Sequence, residues 1–232
     1  MKTYALIVAG GSGRRFGGEI PKQYQLVAGK PVMSWTISRF EGASTIDKIV
    51  IVVAEEYLLY VNNQIVNPYD FKKVFKIVPG GETRMESVMK GLESLPISAG
   101  FVAVHDAVRP LVKSSDIDLA VLEARNNRAA ILGRSISETI KRAKDGMIMA
   151  TVDRDNLYLA ETPQVFQYDL LKEAYLKGKE KGIEPTDDAS LVESLGFMVK
   201  LIPSSAPNPK LTTQDDLEYI TMILEGEAGV RL

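Results

Sequence analysis

Cysteine is absent from this chain of 232 residues, which removes disulfides, thiolate metal sites and cysteine nucleophiles together and is compatible with a reducing compartment. Net charge is nearly absent as well: 28 basic residues stand against 30 acidic ones, a formal −2. No global electrostatic footprint for nucleic acid or an anionic membrane follows, so an anionic substrate has to be caught locally. Long apolar runs are also missing. The first, after Met1-Lys2-Thr3, is ended by Gly10 after about six residues, shorter than a signal-peptide core and far short of a membrane span. The expectation is a cytoplasmic protein with neither nucleic acid nor membrane as partner. No sharp shift in composition, internal repeat or low-complexity tract divides the chain, so residues 1–232 are expected to form one domain with a substantial α/β core. Histidine occurs once, as His105. At the end of an apolar strand, with no catalytic partner suggested, it reads as structural rather than as a general base.

What is present begins with Val8 to Lys22, V-A-G-G-S-G-R-R-F-G-G-E-I-P-K, directly after the apolar run Tyr4-Ala5-Leu6-Ile7-Val8. A near-continuous apolar run is the pattern of a strand buried on both faces. Gly10, Gly11 and Gly13 then fall within four positions. Backbone N–H groups grip a phosphate only where no Cβ blocks the approach, and glycine supplies that together with φ > 0. Arg14, Arg15 and Lys22 add full charges near the same loop. As a bare strand–turn the glycines have a purely structural reading, which the added cations weigh against. Two other phosphate loops do not fit. A dinucleotide fingerprint needs an acidic residue about 20 positions later, whereas Glu55 comes far too late. The P-loop ends in G-K-[ST], whereas Gly29-Lys30 runs into Pro31.

Further along, Pro31 to Phe40 reads as a helix with Pro31 at its first position, Lys48 to Ala54 as a strand, Glu55 to Val66 as helical, and Phe75 to Val78 as a strand. Thr83 and Glu86 form a capping-box signature for a helix that buries Val88, Met89, Leu92 and Leu95. This βαβαβα order predicts a mostly parallel sheet flanked by helices, with its ligand outside the carboxyl ends of the strands. Phe101 to Val104 delivers His105-Asp106-Ala107-Val108-Arg109-Pro110 to that edge. Ser115, Asp116 and Asp118 open another helix, and Ala129 to Leu132 is a strand. From Ser137 to Pro163 polar and apolar residues alternate around a Lys144-Asp145-Gly146 turn signal, which predicts an antiparallel arm. Such an arm leaves an edge that a second subunit could cover. Tyr168 to Lys181 reads as a helix ended by Gly182. Thr186 is expected to cap a short helix from Asp187 to Leu195, Phe197 to Ile202 to be a strand, and a last helix to start near Thr213 with Asp216 at the box position.

Asp106 is the first candidate for metal work, because Mg²⁺ takes one or two carboxylates plus phosphate oxygens; a turn or helix-capping role is the alternative. Gly80-Gly81-Glu82-Thr83-Arg84 is either a plain βα turn or a flat site at a helix N-terminus for a base or an anion.

The G-x-G-x-R loop with its P-K resembles that of the sugar-nucleotide pyrophosphorylases and cytidylyltransferases. Seven ordered pieces narrow the likeness: A-G-G-S-G-R-R-F with P-K-Q-Y, G-G-E-T-R-x-x-S-V, H-D-A-V-R-P, E-T-I-K-R, T-V-D-R, E-T-P-Q-V-F and N-P-K-L-T. Together they resemble the 2-C-methyl-D-erythritol 4-phosphate cytidylyltransferase family over most of the chain. The resemblance implies a Rossmann-like, nucleotide-diphospho-sugar transferase fold with a protruding β-arm for dimerisation, and a Mg²⁺-dependent transfer in isoprenoid precursor biosynthesis. It places Ala9, Gly10, Gly81, Glu82 and Ser87 at the cytosine, with Gly11 and Gly13 in the same nucleotide loop. Arg15, Lys22 and Lys210 match the phosphate-handling, catalytic positions, and Asp106 the metal-side carboxylate. Arg109, Thr139, Arg154 and Thr162 match acceptor contacts, of which Thr139, Arg154 and Thr162 fall in the expected arm and are implied to come from the partner of a homodimer. Val108, where alanine is common, and Pro209, where isoleucine is usual, depart from the pattern.

The implied chemistry agrees with what the chain lacks. A phosphate monoester has a second pKa near ~6 and is already largely dianionic at neutral pH, so it can attack the α-phosphorus of CTP without a general base. Growing negative charge is then the obstacle, and cations are the remedy. Three alternatives stand beside this reading: ribitol 5-phosphate as acceptor, as in the sister family whose Val108 is shared; a non-catalytic nucleotide-binding module, disfavoured by the presence of Lys22 and Asp106; and an oxidoreductase, disfavoured by the missing ribose carboxylate. The V-D-R and I-K-R pieces favour methylerythritol phosphate over ribitol phosphate.

Overall fold

The computed structural model describes residues 1–10, 20–227 and 229. A seven-stranded sheet is built from β1 (Lys2–Ala9), β4 (Lys48–Val53), β5 (Val74–Pro79), β6 (Ala99–Asp106), β7 (Ala129–Ser135), β10 (Tyr158–Gln167) and β11 (Lys200–Pro203), in the order β11-β7-β10-β6-β1-β4-β5. A two-residue ladder, β2 (Leu26–Val27) with β3 (Lys30–Pro31), sits beside it, and β8 (Ile140–Lys144) with β9 (Met147–Val152) forms a separate hairpin. The helices are α1 (Val32–Gly42), α2 (Leu58–Val61), α3 (Arg84–Glu93), α4 (Ser114–Asn127), α5 (Tyr168–Glu180), α6 (Asp188–Glu193) and α7 (Gln214–Glu227).

The apolar runs of β1, β4 and β6 are continuous because both faces of the sheet are covered. Ala5, Ile7, Ile49, Ile51, Val53 and Ala103 point to one face, against Met33, Ile37 and Phe40 of α1 and Ile117, Val121 and Ala124 of α4. Tyr4, Leu6, Val50, Val52, Val102 and Val104 point to the other, against Val88 and Leu92 of α3, Leu171 and Tyr175 of α5, and Leu191 of α6. Alternate residues of one strand thus serve two cores, the period of 2 expected of a pleated strand. A third cluster packs Ile220 and Leu224 of the last helix with Leu211, Val108, Val27 and Val32, which fixes α7 and the segment before it over the end of β6.

Several boundaries differ from the sequence expectation. β10 is the largest departure: it returns to the sheet from Tyr158 and runs antiparallel between β6 and β7, pairing Val165 with both Ala103 and Ala130. The arm is therefore shorter than Ser137 to Pro163, and its final residues, Thr162 included, belong to the core. The hairpin itself turns at Asp145 and Gly146, both with positive φ (49° and 78°), as the Lys144-Asp145-Gly146 signal requires. Pro31 is the N-cap of α1 rather than its first residue. Glu55 to Val66 is a 3₁₀ turn, one α turn and a π turn in succession instead of one regular helix. Asp187, not Thr186, caps α6, accepting the Ser190 N–H. The last strand starts at Lys200 rather than Phe197. Among the described residues no helix is long and apolar enough to cross a membrane.

Candidate active site

β1 leads on to β4 and β5 on one side and lies against β6 on the other, so the strand order reverses between β1 and β6, where open α/β sheets bind ligands beyond the strand ends. Register puts Val8 opposite Asp106, and Ala107 N–H donates to the Val8 carbonyl at 3.0 Å. The ends of β1 and β6 therefore lie side by side.

On the β4–β5 side lies a tight cradle. Thr83 and Glu86 complete the capping box of α3, as the sequence predicts. Ser87, fully buried, accepts from the Gly81 N–H at 3.1 Å and donates to the Thr83 carbonyl at 2.9 Å. A Cβ on Gly10 would stand 2.5 Å from Ser87 Oγ, and one on Gly80 2.8 Å. At Gly81 it would stand 2.3 Å from the Glu86 Cβ. These glycines are required by close approach, and they bring Ala9, Gly10, Gly81, Glu82 and Ser87 together around the start of α3. Gln23, buried, donates to the Ala9 carbonyl at 3.0 Å and ties the Pro21-Lys22 segment to β1. Gly11, Gly13, Arg14 and Arg15 lie outside the described residues.

Across the crevice, Asp106 gathers three cations. Lys210 Nζ is 2.9 Å from Oδ2, Arg84 Nε 3.2 Å from Oδ1, and Arg109 Nε 3.5 Å from Oδ2. Burial pushes this carboxyl up, but Arg84, Lys210 and Arg109 outweigh it and hold the group well below the usual carboxylate range, so it is firmly ionised. Lys22 Nζ donates to the Leu211 carbonyl at 2.7 Å, which brings it beside the Lys210 segment. Pro209 does not prevent Lys210 from reaching Asp106, and the carbonyl of Val108 accepts the Leu211 N–H at 2.9 Å. Both departures from the family pattern thus sit inside an intact arrangement.

Thr162 lies within the same chain's site, which corrects its expected origin in a partner's arm. Its Oγ1 accepts the Asp106 N–H at 3.3 Å and meets His105 Nδ1 at 2.9 Å. His105 Nε2 is 3.1 Å from the Arg109 carbonyl, which can only accept, so Nε2 carries the proton and Nδ1 accepts from Thr162. Burial lowers the imidazole to about 3. The lone histidine is thus a neutral internal link, its ring 4.8 Å from that of Phe40. Arg109 Nη1 donates to the Asn208 carbonyl at 2.7 Å, and Asn208 Nδ2 to the Thr162 carbonyl at 2.8 Å.

Two cavities open here, of about 220 Å³ and 540 Å³. Arg109, Lys210 and Glu161 line both, Asp106 and Thr162 the first, and Arg134 and Tyr219 the second. Thr139 and Arg154 line neither. They are exposed on the arm, where Arg154 Nη1 donates to the Ser137 carbonyl.

Sequence reasoning missed Arg84, Gln23 and the buried pair Asp188 and Gln164. Arg84 carried a usable signal: an arginine in the first turn of a helix opposes the macrodipole, so it needs a specific anionic partner. Glu161, pushed up by burial and accepting from Ser204 at 2.7 Å, carried none.

A model of the family 2-C-methyl-D-erythritol 4-phosphate cytidylyltransferase matches residues 3–226. The chain is 39% identical over 229 residues to the protein of that name from Syntrophus aciditrophicus, covering 98% of each, and 40% identical over 226 residues to that from Syntrophotalea carbinolica, covering 97% of each. Among solved structures it is similar to 4-diphosphocytidyl-2C-methyl-D-erythritol synthase from Anaerococcus prevotii, with a TM-score of 0.85 and 28% identity over 97% of this chain and 96% of that one. The Thermus thermophilus 2-C-methyl-D-erythritol 4-phosphate cytidylyltransferase gives 0.78 and 27%, covering 97% and 100%.

Proposed function

The chain belongs to the 2-C-methyl-D-erythritol 4-phosphate cytidylyltransferase family, and from that premise we propose how its crevice carries the reaction. It transfers the cytidylyl group of CTP to 2-C-methyl-D-erythritol 4-phosphate, giving 4-diphosphocytidyl-2-C-methyl-D-erythritol and pyrophosphate, a step of isoprenoid precursor biosynthesis. The cytosine rests on Ala9, Gly10, Gly81, Glu82 and Ser87, and Gly11 and Gly13 are assigned to nucleotide binding. An oxygen of the acceptor phosphate attacks the α-phosphorus, a new P–O bond forms, the bond from the α-phosphorus to the bridging oxygen breaks, and pyrophosphate departs with its electron pair. No proton need be removed from the attacking dianion. Lys22, Lys210 and Arg15 stabilise the growing charge, and Arg109 and Thr162 orient the acceptor.

One observation carries this reading: an ionised Asp106 at the sheet's reversal point, ringed by Lys210, Arg109 and Arg84 and facing the glycine cradle across β1. Among the described residues no three histidine or carboxylate side chains converge. The Asp106 carboxylate on the crevice wall fits magnesium, which takes one or two carboxylates together with phosphate oxygens and water. Asp106 would hold the ion, which when bound supplies charge neutralisation at the phosphates.

The arm is assigned to a homodimer contact in which Thr139 and Arg154 complete the partner's acceptor site. Met147, Ile148 and Met149 on β9 are 64–70% exposed, more apolar surface than a two-stranded hairpin keeps in water without a partner. A guanidinium suits the acceptor phosphate because it binds two oxygens at once. With CTP as donor, the cytoplasm is the compartment assigned. Pyrophosphate release measured for CTP, UTP and ATP against methylerythritol phosphate and ribitol 5-phosphate tests the assignment. Release is expected with CTP and methylerythritol phosphate; preference for another pair defeats it.

A further inference from the structure

Asp106 is held by three cations that are anchored very differently. Lys210 Nζ sits on a flexible stem, its side chain 38% exposed. Arg109 is tied to the Asn208 carbonyl. Arg84 is fixed most completely: Nη1 and Nη2 donate to the two oxygens of Asp188 at 2.8 Å each, while Nε turns to Asp106. The Asp188 side chain is fully buried. Its Oδ1 also accepts from the Tyr175 hydroxyl, and its backbone N–H donates to Gln164 Oε1 at 2.9 Å. The guanidinium of α3 is therefore gripped from α5, α6 and β10 before it meets the carboxylate at the end of β6.

We infer that Arg84 is a positioning residue for the transfer: the Asp188–Tyr175 clamp fixes its guanidinium, and the guanidinium fixes the Asp106 carboxylate while Lys210 turns toward substrate phosphate. The inference rests on the cytidylyl-transfer reading of the same site. The physical reasons are two. A buried carboxylate such as Asp188 is tolerated only when paired, so the Arg84–Asp188 pair is rigid. Arginine can reach two carboxylates at once because its donors form a planar fork, a geometry that lysine's point charge lacks.

Removing Arg84 alone would strand Asp188, so the test replaces the pair, Arg84→Met with Asp188→Asn, an exchange that buried ion pairs often tolerate. Turnover is measured for this pair variant in the wild-type background and again with Asp106→Asn, with thermal melts as the check on folding. The expected loss in kcat is on the order of 10²-fold in the wild-type background with KM for CTP changed by less than about threefold, and less than about threefold in kcat once Asp106 is already asparagine. Should the pair variant not fold, Arg84→Lys carries the same cycle, with the same non-additivity expected. Carbon-13 relaxation of the Asp106 carboxyl at one fixed neutral pH, which needs no turnover, is expected to report a more mobile side chain in either variant. Equal losses in both backgrounds, or Asp106 carboxyl relaxation unchanged from the parent, overturn the inference. A wild-type protein that forms no product defeats the reaction assignment instead, and the carboxyl relaxation still decides the role of Arg84.

Discussion

Gly10→Ala perturbs the nucleotide cradle at a single atom. Gly10 is not among the positive-φ glycines, so the space around a new Cβ is what matters. The new Cβ would stand 2.5 Å from Ser87 Oγ, well inside contact. Ser87 cannot swing away freely, because its hydroxyl accepts from Gly81 N–H and donates to the Thr83 carbonyl. Giving up both bonds costs about 2 kcal/mol at roughly 1 kcal/mol each, which agrees with the usual ~1–3 kcal/mol for one methyl too many in a packed site. For a domain of this size that lowers Tm by roughly 4–8 °C, since each kcal/mol moves it by about 2–4 °C. KM for CTP is expected to rise with it, because the displaced turn carries Gly81 and Glu82. Ser87→Ala removes the obstructing oxygen and leaves the Cβ of residue 87 at an ordinary 3.4 Å from the new methyl. The double variant should therefore melt no lower than Ser87→Ala alone. Differential scanning calorimetry on the four proteins decides it. A Gly10→Ala protein as stable as the parent, or the same drop in both backgrounds, refutes the packing argument.

Lys22→Ala should lower kcat for cytidylyl transfer more than it raises KM for CTP, because a cation matched to growing charge acts in the transition state; steady-state kinetics showing the reverse would make Lys22 an ordinary binding residue. His105 gives a pH dependence of stability. Its imidazole takes a proton near the ordinary 6.5 when unfolded but resists until about 3 when folded, so the unfolded state binds more protons across that window and stability falls as pH drops below 6.5. Glu161, pushed up by burial, contributes in the opposite direction. Urea midpoints at about pH 7 and about pH 5 should therefore differ less in His105→Gln than in the parent, and an unchanged difference counts against the buried neutral imidazole. In a mixed dimer of Lys22→Ala with Arg154→Ala chains, each inactive as a homodimer, an arm acting in trans puts both lesions in one site and restores the other. Purified mixed dimers that do not re-sort and recover nothing would contradict the shared site.

The parallel core was legible because β1, β4 and β6 are apolar on both faces and Thr83-x-x-Glu86 marks a helix start, all local signals. Asp106 at a strand end was legible for the same reason. β10 was not, because alternation through Tyr158 to Pro163 looks alike whether a strand edges an arm or crosses a core; only its pairing with β6 and β7, far away in sequence, distinguishes them. Thr162 was misplaced with it. The 3₁₀, α and π turns over Glu55 to Val66 hide behind an ordinary apolar spacing, because Val61 and Ile65 stay buried in any of these helices. Arg84 was visible as a residue but its role was not, since its partner Asp188 lies 104 positions away.

The most direct test of cytidylyl transfer follows the oxygen atoms. The protein is given CTP and methylerythritol phosphate labelled with oxygen-18 in its phosphate, and the products are read by mass spectrometry and phosphorus NMR. Attack by the acceptor phosphate on the α-phosphorus requires that all the label stay in the cytidine diphosphate product, one labelled oxygen bridging the two phosphorus atoms, with none in pyrophosphate. Label in pyrophosphate, or a cytidine diphosphate product whose bridging oxygen is unlabelled, would contradict that mechanism.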